Sequence, residues 1–114
     1  MDSFALTEDR LDLVFQALAN RTRRALLRRL AKGAEKVTSL AEPFGMSLNA
    51  ISKHLQVLEG AGLVTRSING RVHTCSLRAA PMAGAEEWLS FYQDFWKGKL
   101  DSLAGFVENQ KDDK

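Results

Sequence analysis

The sequence is poor in what several function classes need. It has one cysteine, Cys75, which excludes an internal disulfide and any switch that closes two thiols within the chain, and which agrees with a reducing compartment. Its only histidines, His54 and His73, fall on different predicted elements, too sparse a set for a zinc site. No apolar run approaches the roughly 20 residues of a membrane-spanning helix. The opening MDSFALTEDR is acidic and lacks the apolar region of a signal peptide, so a cytoplasmic protein is expected. Nucleophile elbow, glycine-rich phosphate loop and metal-ligand cluster are all missing, and no enzymatic activity or cofactor is expected.

What is present fits one small domain. The chain has 114 residues, 45% hydrophobic and 26% charged, enough for a single core. Its net charge of +2 conceals a segregation. Residues 1–20 carry −3 and residues 81–114 carry −3, while residues 21–80 hold eleven Lys and Arg against three acids, a net of +8. A basic centre between acidic ends suits a polyanion, whose counterions it would release; the alternative is a solvated basic surface.

The pattern predicts five helices and a β-hairpin. Thr7 can cap a first helix that opens with Glu8 and Asp9 and buries Leu11, Val14, Phe15 and Leu18. Asn20 can cap a second, Arg21 to Lys32, ending at Gly33. Its apolar side holds Ala25, Leu26, Leu27 and Leu30, while Arg21, Arg23, Arg24, Arg28 and Arg29 crowd the rest, to pair with the acidic first helix or to face phosphate. Lys36 to Thr38 reads as extended. Ser39 and Glu42 fit a capping box for a short third helix that carries Pro43 near its start and stops by Gly45.

Ser47 then caps a fourth helix that stops near Gly60 and Gly62. Leu48, Ile51, Leu55 and Leu58 form its apolar stripe, and Asn49, Lys53, Gln56 and Val57 point the other way, flanked by Ser52 and His54. Such a face meets water in most helices; here it follows a brief helix and a tight turn, so residues 38–62 read as a helix-turn-helix. Leu63 to Ile68 and Arg71 to Leu77 are rich in β-branched residues around Asn69-Gly70, the dipeptide best suited to a type I′ turn. This basic hairpin, residues 63–77, with Arg66, Arg71 and His73 near its tip, reads as a wing able to lie along phosphate.

Pro81 opens a last helix, residues 81–110, before a polar tail over 111–114 that is expected to be disordered. Trp88, Tyr92, Phe95 and Trp96 would each bury on the order of 150–250 Å², which at ~25 cal/mol per Å² exceeds ~10 kcal/mol gross. That stripe is too broad for one small core. It is assigned partly to the first helix and partly to a second copy of the chain.

The segment VTSLAEPFGMSLNAISKHLQVLEGAGLVTRSINGRVHTCSL, with FQALANRTRRALLRRL upstream, resembles the ArsR/SmtB family of winged-helix repressors over roughly residues 10–80. The resemblance implies a homodimer that presents two recognition helices to a palindromic double-stranded DNA operator and represses transcription. The family's DNA-contacting places fall here on Ser47, Asn49, Ala50, Ser52, Lys53, His54 and Gln56, with Arg66 and Arg71 in the wing. The dimer would pair through its first and last helices, at Leu11, Phe15, Trp88, Tyr92, Phe95, Trp96, Leu100 and Leu103.

The sequence departs from that family in its sensing residues. Many members bind metals through cysteines on the helix before the recognition helix, where this chain has Leu40-Ala41-Glu42-Pro43-Phe44 and no thiolate. The family's other site uses Asp and His on the last helix, which here has carboxylates but no histidine, more in keeping with a solvated face than a metal centre. A regulator that does not sense metals is expected, either with an organic effector on the aromatic helix or with none. Cys75 alternates with Leu77 and should pack as a small hydrophobe. His54 is expected at the helix–DNA boundary and His73 on the wing surface, and protonation of both near the reference pKa of about 6.5 would favour phosphate and raise DNA affinity modestly as pH falls. The competing function is a winged helix that binds an acidic partner protein, a role with no use for the amides of Asn49 and Gln56.

Overall fold

A computed structural model describes the backbone of residues 7–112 and the side chains of residues 7–99. The order is α1 (Glu8–Leu18), α2 (Arg21–Leu30), β1 (Glu35–Lys36), α3 (Val37–Ala41), a 3-10 turn (Glu42–Phe44), α4 (Leu48–Gly60), β2 (Val64–Asn69), β3 (Val72–Leu77) and α5 (Met82–Asp112). Five helices thus surround a small antiparallel sheet, ordered β1-β3-β2. The core joins Val14 and Ala17 of α1, Leu26, Leu27 and Leu30 of α2, Leu40 of α3, Ile51, Leu55 and Leu58 of α4, and Cys75 of β3. No polar or charged residue is buried among those described.

The caps act where the sequence put them. The Thr7 hydroxyl accepts from the Arg10 amide at 3.3 Å, the Asn20 side-chain Oδ1 from the Arg23 amide at 3.0 Å, and the Ser47 hydroxyl from the Ala50 amide at 3.1 Å. The α-helical part of α2 stops at Leu30, two residues early, because Lys32 and Gly33 donate to Arg29 and Leu30 and tighten the last turn to 3-10 spacing.

The capping box does not form. Glu35 and Lys36 pair with Cys75 and Thr74 of β3, and the chain turns helical as it leaves that ladder, so α3 begins at Val37 with Ser39 already inside it. The extended piece expected over Lys36 to Thr38 is instead Glu35–Lys36, and Val37 and Thr38 are already helical; its pairing as a third strand shows no period in two residues. Pro43 is the second residue of the 3-10 turn, and Gly45 at φ +60° swings the chain into Ser47, a left-handed step that suits glycine.

Hairpin register is the second correction. Asn69 pairs with Val72, so the two loop residues are Gly70 and Arg71 rather than Asn69 and Gly70. Gly70 has φ +65°, and no described residue other than glycine has a positive φ. Positive φ at the first central position alone is the type II′ pattern. Arg66 lies opposite Cys75, a fully buried residue, and shares its inward face.

Two further differences concern helix ends. Leu48, expected in the apolar stripe, is 50% exposed, because the first turn of α4 overhangs the core and faces the wing. The last helix follows a buried Pro81 and runs 31 residues to Asp112, a length of about 46 Å at 1.5 Å per residue. It passes the expected stop at Gln110 through Lys111 and Asp112, which contain no breaker; the rest of the expected tail, residues 113–114, lies outside the described residues. The radius of gyration is 18.9 Å, against about 13 Å for a compact chain of this length, because α5 projects beyond the core. No described helix is long and apolar enough to cross a membrane.

Candidate nucleic-acid interface

Helix α4 is held from beneath by fully buried Ile51, Leu55 and Leu58. This fixes its outer face, on which Ser47, Asn49, Lys53, Gln56 and Val57 are exposed and Ala50, Ser52 and His54 are half-buried. Between the start of α4 and the wing runs a groove of about 440 Å³ whose walls include Asn49, Ser52, Arg66, Arg71 and His73. Lys36 and Thr38 line it too, residues that sequence reasoning missed because only the β1–β3 pairing brings them beside the wing. Four expected contact residues therefore share one groove, while Lys53, His54 and Gln56 stand outside it.

Arg71, at the turn, is exposed and has no partner among the described residues. Arg66 is different. Its side chain is 14% exposed, one terminal nitrogen donates to Glu59 Oε1 at 2.8 Å, and the other lies 3.2 Å from His73 Nδ1. It bridges the wing to the end of α4, so the phosphate contact the resemblance implied would compete with two partners it already holds. The chain locks this joint further where the Leu63 amide donates to the Leu58 carbonyl and the Arg78 amide to the Leu63 carbonyl.

His54 is also drawn inward. Its Nδ1 lies 3.3 Å from Arg23 Nη1, and burial together with the Arg23 charge holds its pKa below 6.5. The expected gain of charge toward DNA is therefore opposed at this position. Arg23 donates through Nε to the Ala17 carbonyl and through Nη2 to the Gln16 carbonyl, both at 2.8 Å, and Arg24 donates to the Leu18 carbonyl at 2.6 Å. These arginines serve the carbonyl end of α1, not its carboxylates. Arg29 pairs with Glu35, leaving Arg21 and Arg28 exposed without partners among the described residues.

Cys75 is fully buried, and burial pushes its thiol up despite the opposing charge of Arg66. It packs as the small hydrophobe expected from its alternation with Leu77.

On the opposite side, α5 carries an apolar face continuous with α1. Leu11 and Phe15 pack against the core of their own chain, and Phe15 meets Trp88 edge-on at 5.8 Å. Trp88 in turn lies 4.9 Å from Tyr92, the two rings tilted by 48°. Beyond them Tyr92 is 39%, Phe95 64% and Trp96 68% exposed. Phe91 and Leu89, which the expected set omitted, are exposed on the same helix. The side chains of Leu100 and Leu103 lie outside the described residues.

Comparison with known proteins gives a consistent family. A helix-turn-helix domain family matches residues 18–67. The chain is 35% identical over 102 residues to the HTH-type transcriptional regulator Rv2034 of Mycobacterium tuberculosis, covering 90% of this chain and 92% of that protein. Among solved structures, an ArsR family transcriptional regulator superposes with a TM-score of 0.74 at 41% identity, over 82% of this chain and 96% of the other. The homodimeric winged helix-turn-helix DNA-binding domain of Mb0332 from Mycobacterium bovis superposes with a TM-score of 0.61 at 29% identity, over 90% and 92% of the two chains.

Proposed function

Because the chain belongs to the ArsR family of helix-turn-helix transcriptional regulators, we propose that it represses transcription in the cytoplasm as a homodimer seated on a palindromic operator. The observation that carries this reading is the exposed amide and ammonium face of α4, rigidly backed by the core and set beside a groove lined with basic side chains. In this reading Asn49 and Gln56 pair with adenine edges in the major groove, a contact worth about 1–3 kcal/mol of base discrimination each. Lys53 and Arg71 neutralise phosphates on either side, Ser47 and Ser52 donate hydroxyls to the backbone, and the small Ala50 allows close approach. Arg66 and His54 act from behind, holding the wing and α4 in place.

A second copy covers the aromatic face of α5 and sets the two recognition helices about 34–36 Å apart, one turn of DNA. Release through a thiolate-bound metal has no ligands in Leu40 to Phe44, so any effector would act elsewhere. The reading is tested by fluorescence anisotropy with the duplex upstream of the protein's own gene and with a shuffled duplex, over a range of salt. Tight binding to the native duplex at two chains per site is expected. Equal, weak and steeply salt-dependent binding to both would reduce the basic centre to an electrostatic surface, and no binding at low salt would favour an acidic protein partner.

A further inference from the structure

His73 is expected on the wing surface as a group whose added charge would favour phosphate, yet its surroundings give it a different chemistry. An arginine guanidinium can donate hydrogen bonds and cannot accept them. With Arg66 Nη1 at 3.2 Å from His73 Nδ1, that nitrogen must be the acceptor, and the proton of the neutral ring sits on Nε2. Arg66 cannot swing away without cost. Its other terminal nitrogen is held by Glu59 at 2.8 Å, and its side chain is only 14% exposed. His73 meanwhile lines the groove between α4 and the wing, with Asn49, Ser52, Arg71 and Lys36 around the same space.

We propose that His73 is a DNA-binding residue, a neutral donor whose Nε2–H hydrogen-bonds a backbone phosphate lying in the groove between α4 and the wing. Glu59 and Arg66 are its positioning residues: Glu59 orients the guanidinium, and the guanidinium selects the tautomer. The inference rests on the DNA-binding reading above and adds a contact of a different kind from Lys53 or Arg71. A neutral donor strengthens binding without displacing a counterion, so its loss lowers affinity while leaving the salt dependence intact.

The test pairs spectroscopy on the protein alone with binding to the upstream duplex. Long-range 15N–1H correlation of the imidazole at pH 8 should find the Nε2–H form for His73 in the wild type and a mixture of tautomers in Arg66→Lys, whose ammonium cannot span both Glu59 and the ring. His73→Phe should weaken duplex binding about three- to tenfold, the size of one hydrogen bond, with an unchanged slope of log affinity against log salt. Arg66→Lys, checked for folding by its melting curve, should weaken binding in the same direction. An Nδ1–H ring in the wild type would overturn the proposal. So would unaltered affinity in His73→Phe, or a slope reduced by about one, which would make His73 a cationic contact. Failure of the wild type to bind any duplex would instead remove the DNA-binding reading on its own control, and this inference with it.

Discussion

Arg23 of α2 lies 3.3 Å from His54 of α4 while its other guanidinium nitrogens hold the carbonyls of Ala17 and Gln16 at the end of α1. One side chain thereby ties three helices together, and one of them is the helix proposed to read DNA. Unsatisfied carbonyls at a helix end are costly when partly shielded from water, and a charged donor contributes more than a neutral one. Arg23→Ala is expected to lower stability by about 2–3 kcal/mol, the sum of lost charged hydrogen bonds less what water restores. Urea unfolding followed by circular dichroism checks it; a loss below about 0.5 kcal/mol would mean the clamp is superficial.

The same contact makes stability depend on pH. The pKa of His54 is lower in the folded chain than its ordinary 6.5, so between the two values the unfolded chain binds more protons. Stability therefore rises with pH across that window. It is complete above about 6.5, declines as pH falls below that value, and levels off once the folded ring is also protonated. In His54→Gln this component of the decline should vanish. Melting curves of both proteins between pH 8 and pH 5 decide the point: parallel profiles would show that His54 is not the group responsible.

Specificity and attraction should separate on different residues. Asn49→Ala or Gln56→Ala is expected to narrow the difference between the native and shuffled duplexes by about 1–3 kcal/mol, with the salt slope retained. Arg71→Ala should weaken binding to both duplexes alike and lower the slope by about one. If Arg71→Ala left the slope unchanged, the exposed tip of the wing would not touch phosphate.

The parts of the molecule governed by local rules were legible in the sequence. Thr7, Asn20 and Ser47 cap because a side-chain oxygen three residues ahead of an amide can act without tertiary help. The inner and outer faces of α4 follow from period alone, apart from Leu48, which the core is not wide enough to cover. What was misread depended on distant partners. Ser39 looks like a cap until Glu35 and Lys36 pair with β3 and start the helix earlier. Asn69-Gly70 is the better isolated turn, but the pairing of Val64 with Leu77 and of Arg66 with Cys75 moves the loop by one residue. Arg66 shares a strand face with Cys75 and His73 in either register, so what hid its inward role was its partner Glu59 on α4, which no pattern within the hairpin shows. The same limit applies to Arg23 and Arg24 of α2, which donate to backbone carbonyls of α1 that carry no side-chain signature.

The aromatic face of α5 gives the last prediction. Trp96 is 68% and Phe95 64% exposed on a helix that projects past the core, an arrangement that costs solubility unless another surface covers it. In the proposed homodimer the covering surface is the same helix of a second chain, and a C2 interface puts each substituted residue into the contact twice. Phe95→Glu should therefore introduce two buried charges per dimer and shift the protein toward monomer at micromolar concentration, as measured by analytical ultracentrifugation. The single-chain core lies away from this position, so the circular dichroism spectrum should be retained. Operator affinity should then fall at least tenfold, since a lone recognition helix forfeits the linked second half-site. A wild-type chain that sediments as a monomer, or a Phe95→Glu variant that stays dimeric and binds normally, would place the dimer contact on another face.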